Sequence, residues 1–258
     1  MRGNDLTLWP RPRFEAGGGD AFVFFAAYGE FSSDLQVSGE SYRTAGIPAG
    51  IDVRKLNRNQ SPDFPFTSGP IEQLLQPAQP ALFAEIQRVP ECLIIQGVVR
   101  DPANLDYLRD TVGLATYFLD NGGVAIIDPQ QFKLYDPQTW RKEIFEPEPP
   151  KVGNHVVILF SDEPNGDRWF HTRGLRKFGR PDLSMHDVPA NHERGVIEMF
   201  DRFILLQAEG GRIAEGEEIR MPFLPLGLTC HHGGSHDDPA YNNVHIEIRW
   251  PGNRPSVL

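Results

Sequence analysis

Residues 92–128 constrain the fold more than any other part of the chain. CLIIQGVV (92–99) is a short, mostly apolar segment of the length a buried strand needs, and VAIID (124–128) is a second one. Between them Leu105, Leu108, Val112, Ala115 and Leu119 recur at the three- and four-residue spacing of one helix face. Asp101 is placed to cap that helix with Pro102 at its first position, where a missing N–H costs nothing, and Gly122–Gly123 stop it. Strand, helix and strand in that order describe a right-handed crossover if the two strands are parallel. With 25 glycines and 23 prolines in 258 residues, irregular connections must be plentiful. The expected class is therefore α+β, a mixed, largely antiparallel sheet with two or three helices packed on one face. The chain reads as one unit, loop-rich over 1–90 and with its core domain over 91–258.

Other segments fit this frame. AFVFFAAY (21–28) reads as a buried strand, and 29–68, polar and broken by Gly46, Pro48, Gly50, Pro62 and Pro65, as mostly loop. Residues 70–88 suggest one interrupted helix or two short ones. Asp136–Pro137 repeats the capping device for a helix over 137–145, and EPEPPK (146–151) is a stiff connector. HVVILF and RWFHTRGL flank DEPNGD, whose Asn165–Gly166 predicts a hairpin. Val196, Phe200, Phe203 and Ile204 mark a helix over 192–207. In VHIEIRW (244–250) strict alternation sends Val244, Ile246, Ile248 and Trp250 one way and His245, Glu247 and Arg249 the other.

Charge and composition exclude some classes. A net charge of −10 argues against a nonspecific grip on nucleic acid, and it suits a basic protein partner instead. No apolar stretch approaches a membrane span or the core of a signal peptide, so the cytoplasm is the expected setting, with no membrane partner. Two cysteines, Cys92 and Cys230, imply no disulfide framework.

Two constellations can carry chemistry. CHHGGSHDDPAYNNVHIEI (230–248) holds four of the eight histidines. His245 and Glu247 share a strand face, and the Gly-rich HHGGSHDD, read as a loop, is able to bend back toward it. His232, His236, Asp237, His245 and Glu247 are the candidate ligands of a divalent metal such as zinc, with Fe²⁺ or Mn²⁺ also suited. His236 and His245 are the candidate catalytic residues. Their spacing matches no established metal signature, and a strand with one wet face shows the same alternation. The second constellation is HTRGLRKFGRPDL (171–183), where Arg173, Arg176, Lys177 and Arg180 fall within eight positions of an acidic chain, among Gly174 and Gly179. Arginine forks and glycine-exposed backbone N–H groups suit a small anion, so these four are the candidate substrate-binding residues. The same cations can instead pair with some of the 35 acidic residues. No G-x-S-x-G elbow is present, and Cys230 and His231 point apart on an extended chain.

WFHTRGLRKFGRPDL and the upstream GGVAIIDPQQFKLYDPQTW resemble a bacterial domain family of unknown function. Its members carry a Trp/Leu–His–Thr–Arg–Gly–hydrophobic block followed by Lys-Phe-Gly-x-Pro-(Asp/Glu)-Leu. The resemblance covers about residues 91–185. It implies a compact α+β domain of the bacterial cytoplasm and no particular reaction. If the block marks the family's site, Arg173, Arg176, Lys177 and Asp182 carry it over; if it is a folding signature, the glycines make a turn and Asp182 caps the segment after it.

Two functions are expected from these features. One is a binding module for a small anionic ligand or a basic protein partner. The other is a metal-dependent hydrolase of an anionic small molecule, whose site joins the basic loop (173–180) to the histidine-rich segment (231–247). The second requires the two segments to meet.

Overall fold

The structure, a computed structural model, describes residues 6–32, 39–44, 46–61 and 64–251. In chain order the elements are β1 (Ala21–Gly29), α1 (Gly39–Tyr42), β2 (Ile51–Asn57), α2 (Pro70–Ala78), α3 (Pro80–Ile86), β3 (Glu91–Val99), α4 (Asp106–Asp120), β4 (Gly123–Asp128), β5 (Lys133–Tyr135) and α5 (Pro137–Trp140), then β6 (Val157–Asp162), β7 (Arg168–Arg173), β8 (Asp182–Val188), α6 (Glu193–Ala208), β9 (Glu218–Ile219), β10 (Leu228–Ser235) and β11 (Asn243–Arg249). The class is α+β. There are two sheets rather than one, ordered β2-β3-β1-β4-β5 and β6-β7-β8-β11-β10-β9, antiparallel throughout except for the parallel pair β8–β11.

The strand–helix–strand unit is present with a difference. β3 and β4 both run antiparallel to β1, so they are parallel to each other, but β1 lies between them. Helix α4 starts four residues after the expected Pro102. Asp101 does not cap it: the Asp101 carboxylate accepts from the Gly17 N–H at 2.5 Å, and its backbone sits at φ 25°. The N-terminal segment competes for the acidic groups here, since Asp106 likewise accepts from the Trp9 N–H at 2.9 Å. Asp136 does cap its helix, accepting from Gln138 N and Thr139 N, and α5 continues into a π-helical turn over Arg141–Phe145.

Two expectations for the N-terminal part need correction. Part of 29–68 lies outside the described residues, but Ile51–Asn57 is a strand, paired along its length with β3. An edge strand needs apolar side chains on one side only, and Ile51 and Val53 alone give too little periodicity to read. Helices also cover both faces of the first sheet, not one. Val23, Phe25, Leu93, Ile95 and Ile126 face a core shared with α4, whereas Ala26, Tyr28, Ile94, Ala125 and Ile127 face Leu75, Phe83 and Ile86 of α2 and α3. That is why β1, and β3 over Cys92–Ile95, read as continuous apolar runs.

In the second sheet one face only is apolar. Phe170, Leu183, Met185, Cys230, Ile246 and Ile248 pack with Val196, Met199, Phe200 and Ile204 of α6 into the same core that the first sheet uses. The β6–β7 hairpin forms as expected around Asn165–Gly166, with Gly166 at φ 88°. HHGG belongs to strand β10 rather than to a loop; the turn is 236–242. The polar face of this sheet looks away from the core.

Candidate functional site

The basic block folds into a strand end, one turn of 3-10 helix over Leu175–Phe178, and the start of β8. Both glycines of the block are required. Gly174 has φ 113°, and a Cβ there would lie 2.4 Å from the His155 carbonyl; Gly179 has φ 61°, and a Cβ would lie 2.4 Å from the Gly19 carbonyl. The tight turn points Arg173 and Arg176 one way and Lys177 and Arg180 the other.

Lys177 and Arg180, expected to hold an anion, are turned inward and committed to the fold. Lys177 is fully enclosed, 2.5 Å from the Asp128 carboxylate and 3.0 Å from the His155 carbonyl. Burial pushes the ammonium down and the carboxyl up, and their mutual attraction opposes both shifts. This pair joins the end of β4 to the basic block. It therefore links GGVAIIDP to HTRGLRKFGRPDL. The Arg180 guanidinium donates to the carbonyls of Gly179, Gly210, Gly211 and Glu15 and lies 3.6 Å from Asp101. Asp182 is enclosed too, accepting from Thr172 Oγ1, Leu175 N and Asn243 Nδ2; burial pushes its pKa up to about 6.

Arg173 and Arg176 face the other way, into a cleft of about 280 Å³ between the sheets. The Arg173 guanidinium lies over the Phe132 ring at 4.3 Å and donates to the Ala240 carbonyl; Arg176 lies over Phe22 at 4.5 Å and donates to the Asn242 carbonyl at 2.7 Å. Among the described residues each makes hydrogen bonds to that one carbonyl, and the Arg173 Nε has no partner. A guanidinium carries five N–H donors, so both keep capacity for an anion. Phe24, Phe66 and Ile71 supply apolar wall, while Asp182, Tyr241 and His236 close the remaining sides. The basic loop and the histidine-rich segment thus meet: His236 lines the same cleft as both arginines. Burial and the Arg176 charge lower the pKa of His236 and favour its neutral form.

The other histidine-segment residues disperse. His245 lies across from Asp182 in the sheet and stacks on Tyr241 at 4.4 Å. Glu247 sits opposite His231, whose ring meets Glu215 at 2.9 Å. His232 pairs with Ile246, so it occupies the opposite face from His245 and Glu247, with its Nε2 at 2.8 Å from the Ile213 carbonyl. Strand alternation parts His232 from His245 and Glu247, and His236 and Asp237 lie in the turn between the strands. Among the described residues no three His, Cys, Asp or Glu side chains come together in a way that could hold a metal ion.

Several residues of this region carry no signal in the sequence. Phe22 and Phe24 alternate outward from a strand that reads as wholly buried, and Phe132 comes from the turn between β4 and β5. Tyr241, the lone aromatic residue of a polar turn, is the one legible signal. His171 also differs from a satisfied core histidine: it is 9% exposed, its Nδ1 has no partner, and it stacks on Trp169 at 4.1 Å. Burial, then the neighbouring Arg173 charge, pushes its pKa down to about 4. Both cysteines are buried and unpaired, and no helix among the described residues is long and apolar enough to cross a membrane. Comparison with family models, with curated proteins and with solved structures finds no match for this chain.

Proposed function

We propose that the protein binds a small anionic ligand in the cleft between the sheets, with Arg173 and Arg176 holding a phosphate or carboxylate head and the phenylalanines receiving an apolar body. The observation that carries this reading is the convergence of two incompletely used guanidiniums on one aromatic cleft. Stacking on Phe132 and Phe22 fixes each fork in place before a ligand arrives, which lowers the entropy cost of binding. The volume suits a metabolite-sized molecule. Two buried, unpaired cysteines support a reducing, cytoplasmic setting.

Calorimetric titration with phenyl phosphate and with inorganic phosphate tests the proposal. Phenyl phosphate should bind the more tightly, and Arg173→Ala or Arg176→Ala should abolish most of the heat. Absence of heat with either compound, or equal affinity in the arginine variants, would overturn it.

A hydrolytic reading has one support, His236, which lines the cleft with both arginines and is held toward the neutral form a general base needs. Release of phenol during the same titration would favour hydrolysis; a stable complex would favour binding alone.

A further inference from the structure

We infer that residues 236–242 form a lid over a second subsite, made by His171, Ser184 and His245 on the polar face of the second sheet, and that an anion bound at Arg173 and Arg176 releases it. The inference rests on the reading of the cleft as an anion site and adds to it a covered place for the rest of the ligand.

The lid is Tyr241. Its ring stacks on His245 at 4.4 Å and meets His171 and Trp169 edge-on at 5.8 and 6.0 Å. The Nδ1 atoms of both His171 and His245 are buried without a hydrogen-bond partner, that of His245 against Gly234. Buried polar atoms are almost always paired, because an unpaired one keeps the full cost of leaving water. Two such atoms, on imidazoles that both pack against one tyrosine, mark a surface shaped for something other than that ring. Ser184 lies between them in the sheet: it is the β8 partner of His171, and Asp182, two residues earlier on β8, is the partner of His245. Neutral imidazoles each offer one donor and one acceptor nitrogen. The subsite therefore fits an uncharged hydroxyl or amide group on the same ligand.

The arginines of the cleft are the clasp. Arg173 donates to the carbonyl before Tyr241 and Arg176 to the carbonyl after it, so the two bonds straddle the lid residue. The segment is internally braced by the Asp238 side chain, which accepts from Ala240 N, and by the Asp238 carbonyl, which accepts from Tyr241 N and Asn242 N; it can move as one piece. The turn begins after Ser235, the last paired residue of β10, and Asn243 is fixed to Arg180 and Asp182 at its exit. A phosphate or carboxylate is a stronger acceptor for a guanidinium than a peptide carbonyl. An anion that takes these donors removes both arginine bonds to the lid and leaves the hydrogen bond between the Tyr241 hydroxyl and Ser184, whose Oγ also accepts from Trp169 Nε1, as its remaining side-chain tie. Arg173, only 4% exposed with the lid closed, is reached through the same movement.

Carbethoxylation of histidines at neutral pH, read residue by residue by mass spectrometry, tests both parts. His192, which packs with Trp250 away from the turn, serves as the internal reference. In the wild-type protein His171 should react slowly. Arg176→Ala, which frees the Asn242 carbonyl, and Tyr241→Ala, which removes the ring, should each speed the His171 reaction by about tenfold or more, as for a local opening made easier. Saturating phenyl phosphate should speed it in the wild type. A slow His171 in Tyr241→Ala would overturn the covered subsite, and a slow His171 in Arg176→Ala would overturn the clasp. Calorimetry on the same samples separates the two proposals. Heat of binding without faster His171 modification defeats the lid and leaves the cleft; no heat defeats the cleft and with it release by an anion, and the two variants then decide only whether the covered subsite stands.

Discussion

Arg173 and Arg176 on one side, and Lys177 and Arg180 on the other, belong to one run of sequence and end in opposite surroundings. The inward pair is closed off from water, with every polar contact supplied by the fold: Asp128 and the His155 carbonyl for Lys177, four backbone carbonyls and Asp101 for Arg180. The outward pair lies on aromatic rings at the edge of a cleft, each tied to one carbonyl of a turn. Charge class alone therefore says little about role. Direction of the side chain decides it, and here the direction comes from one 3-10 turn held between two glycines.

The sharpest way to break this comparison is to remove an inward cation. Lys177→Met leaves the Asp128 carboxylate buried and uncompensated, and urea unfolding should show a loss of ~3–5 kcal/mol. The double variant Lys177→Met/Asp128→Leu should recover much of that loss, because it removes both charges together. Equal stability of the single and double variants would mean that the pair is not a unit.

Acid should come next in size. Burial holds His155 neutral, with its pKa pushed down to about 3, and His171 likewise, down to about 4, both below the ordinary 6.5. A depressed folded-state pKa contributes stability that is complete above the unfolded value and is lost as pH falls. Each such histidine should steepen acid destabilisation below about pH 6.5 by ~1.4 kcal/mol per pH unit. Asp182, raised to about 6, works the other way: its contribution is present at low pH and lost as pH rises through that value, so it offsets one histidine between about pH 4 and 6. Replacing His155, which packs edge-on to Phe178 with neither ring nitrogen bonded, by Phe should flatten the acid limb of a stability–pH curve.

The smallest effect on stability belongs to Arg176 of the outward pair. Arg176→Ala should change the free energy of unfolding by no more than about 1 kcal/mol, as for a partly exposed side chain. Its loss should instead lower phenyl phosphate affinity by on the order of tenfold or more, the scale of one charge-assisted hydrogen bond. A large stability loss with unchanged affinity would place Arg176 with the inward pair.

Much of the fold is legible in the sequence because strongly periodic segments carry their own surroundings. Helix α6, the β6–β7 hairpin, the Asp136 cap and the alternation of β11 arise from local spacing and turn chemistry alone. Where a distant segment competes for the same group, local reading fails. Asp101 looks like a helix cap, but the Gly17 N–H takes its carboxylate. Strand β2 is hidden because an edge strand with one sheltered side leaves a weak pattern. The site is legible by residue type and not by direction. Both segments that line the cleft stand out, and they meet at Arg173, Arg176 and His236. Their ligand set does not survive strand alternation, which sends His232 to the face opposite His245 and Glu247. The phenylalanines of the cleft give no signal, since in sequence they are indistinguishable from core.

Nitrogen-detected NMR of the arginine side chains measures the inward–outward contrast in a single titration. On addition of phenyl phosphate, the Nε signals of Arg173 and Arg176 should move together and saturate, while those of Arg11 and Arg180, both enclosed and bonded to backbone carbonyls, should stay in place. Movement of Arg180, or indifference of Arg173 and Arg176 at saturating ligand, would contradict the division of the basic block into a half that holds the fold and a half that holds the ligand.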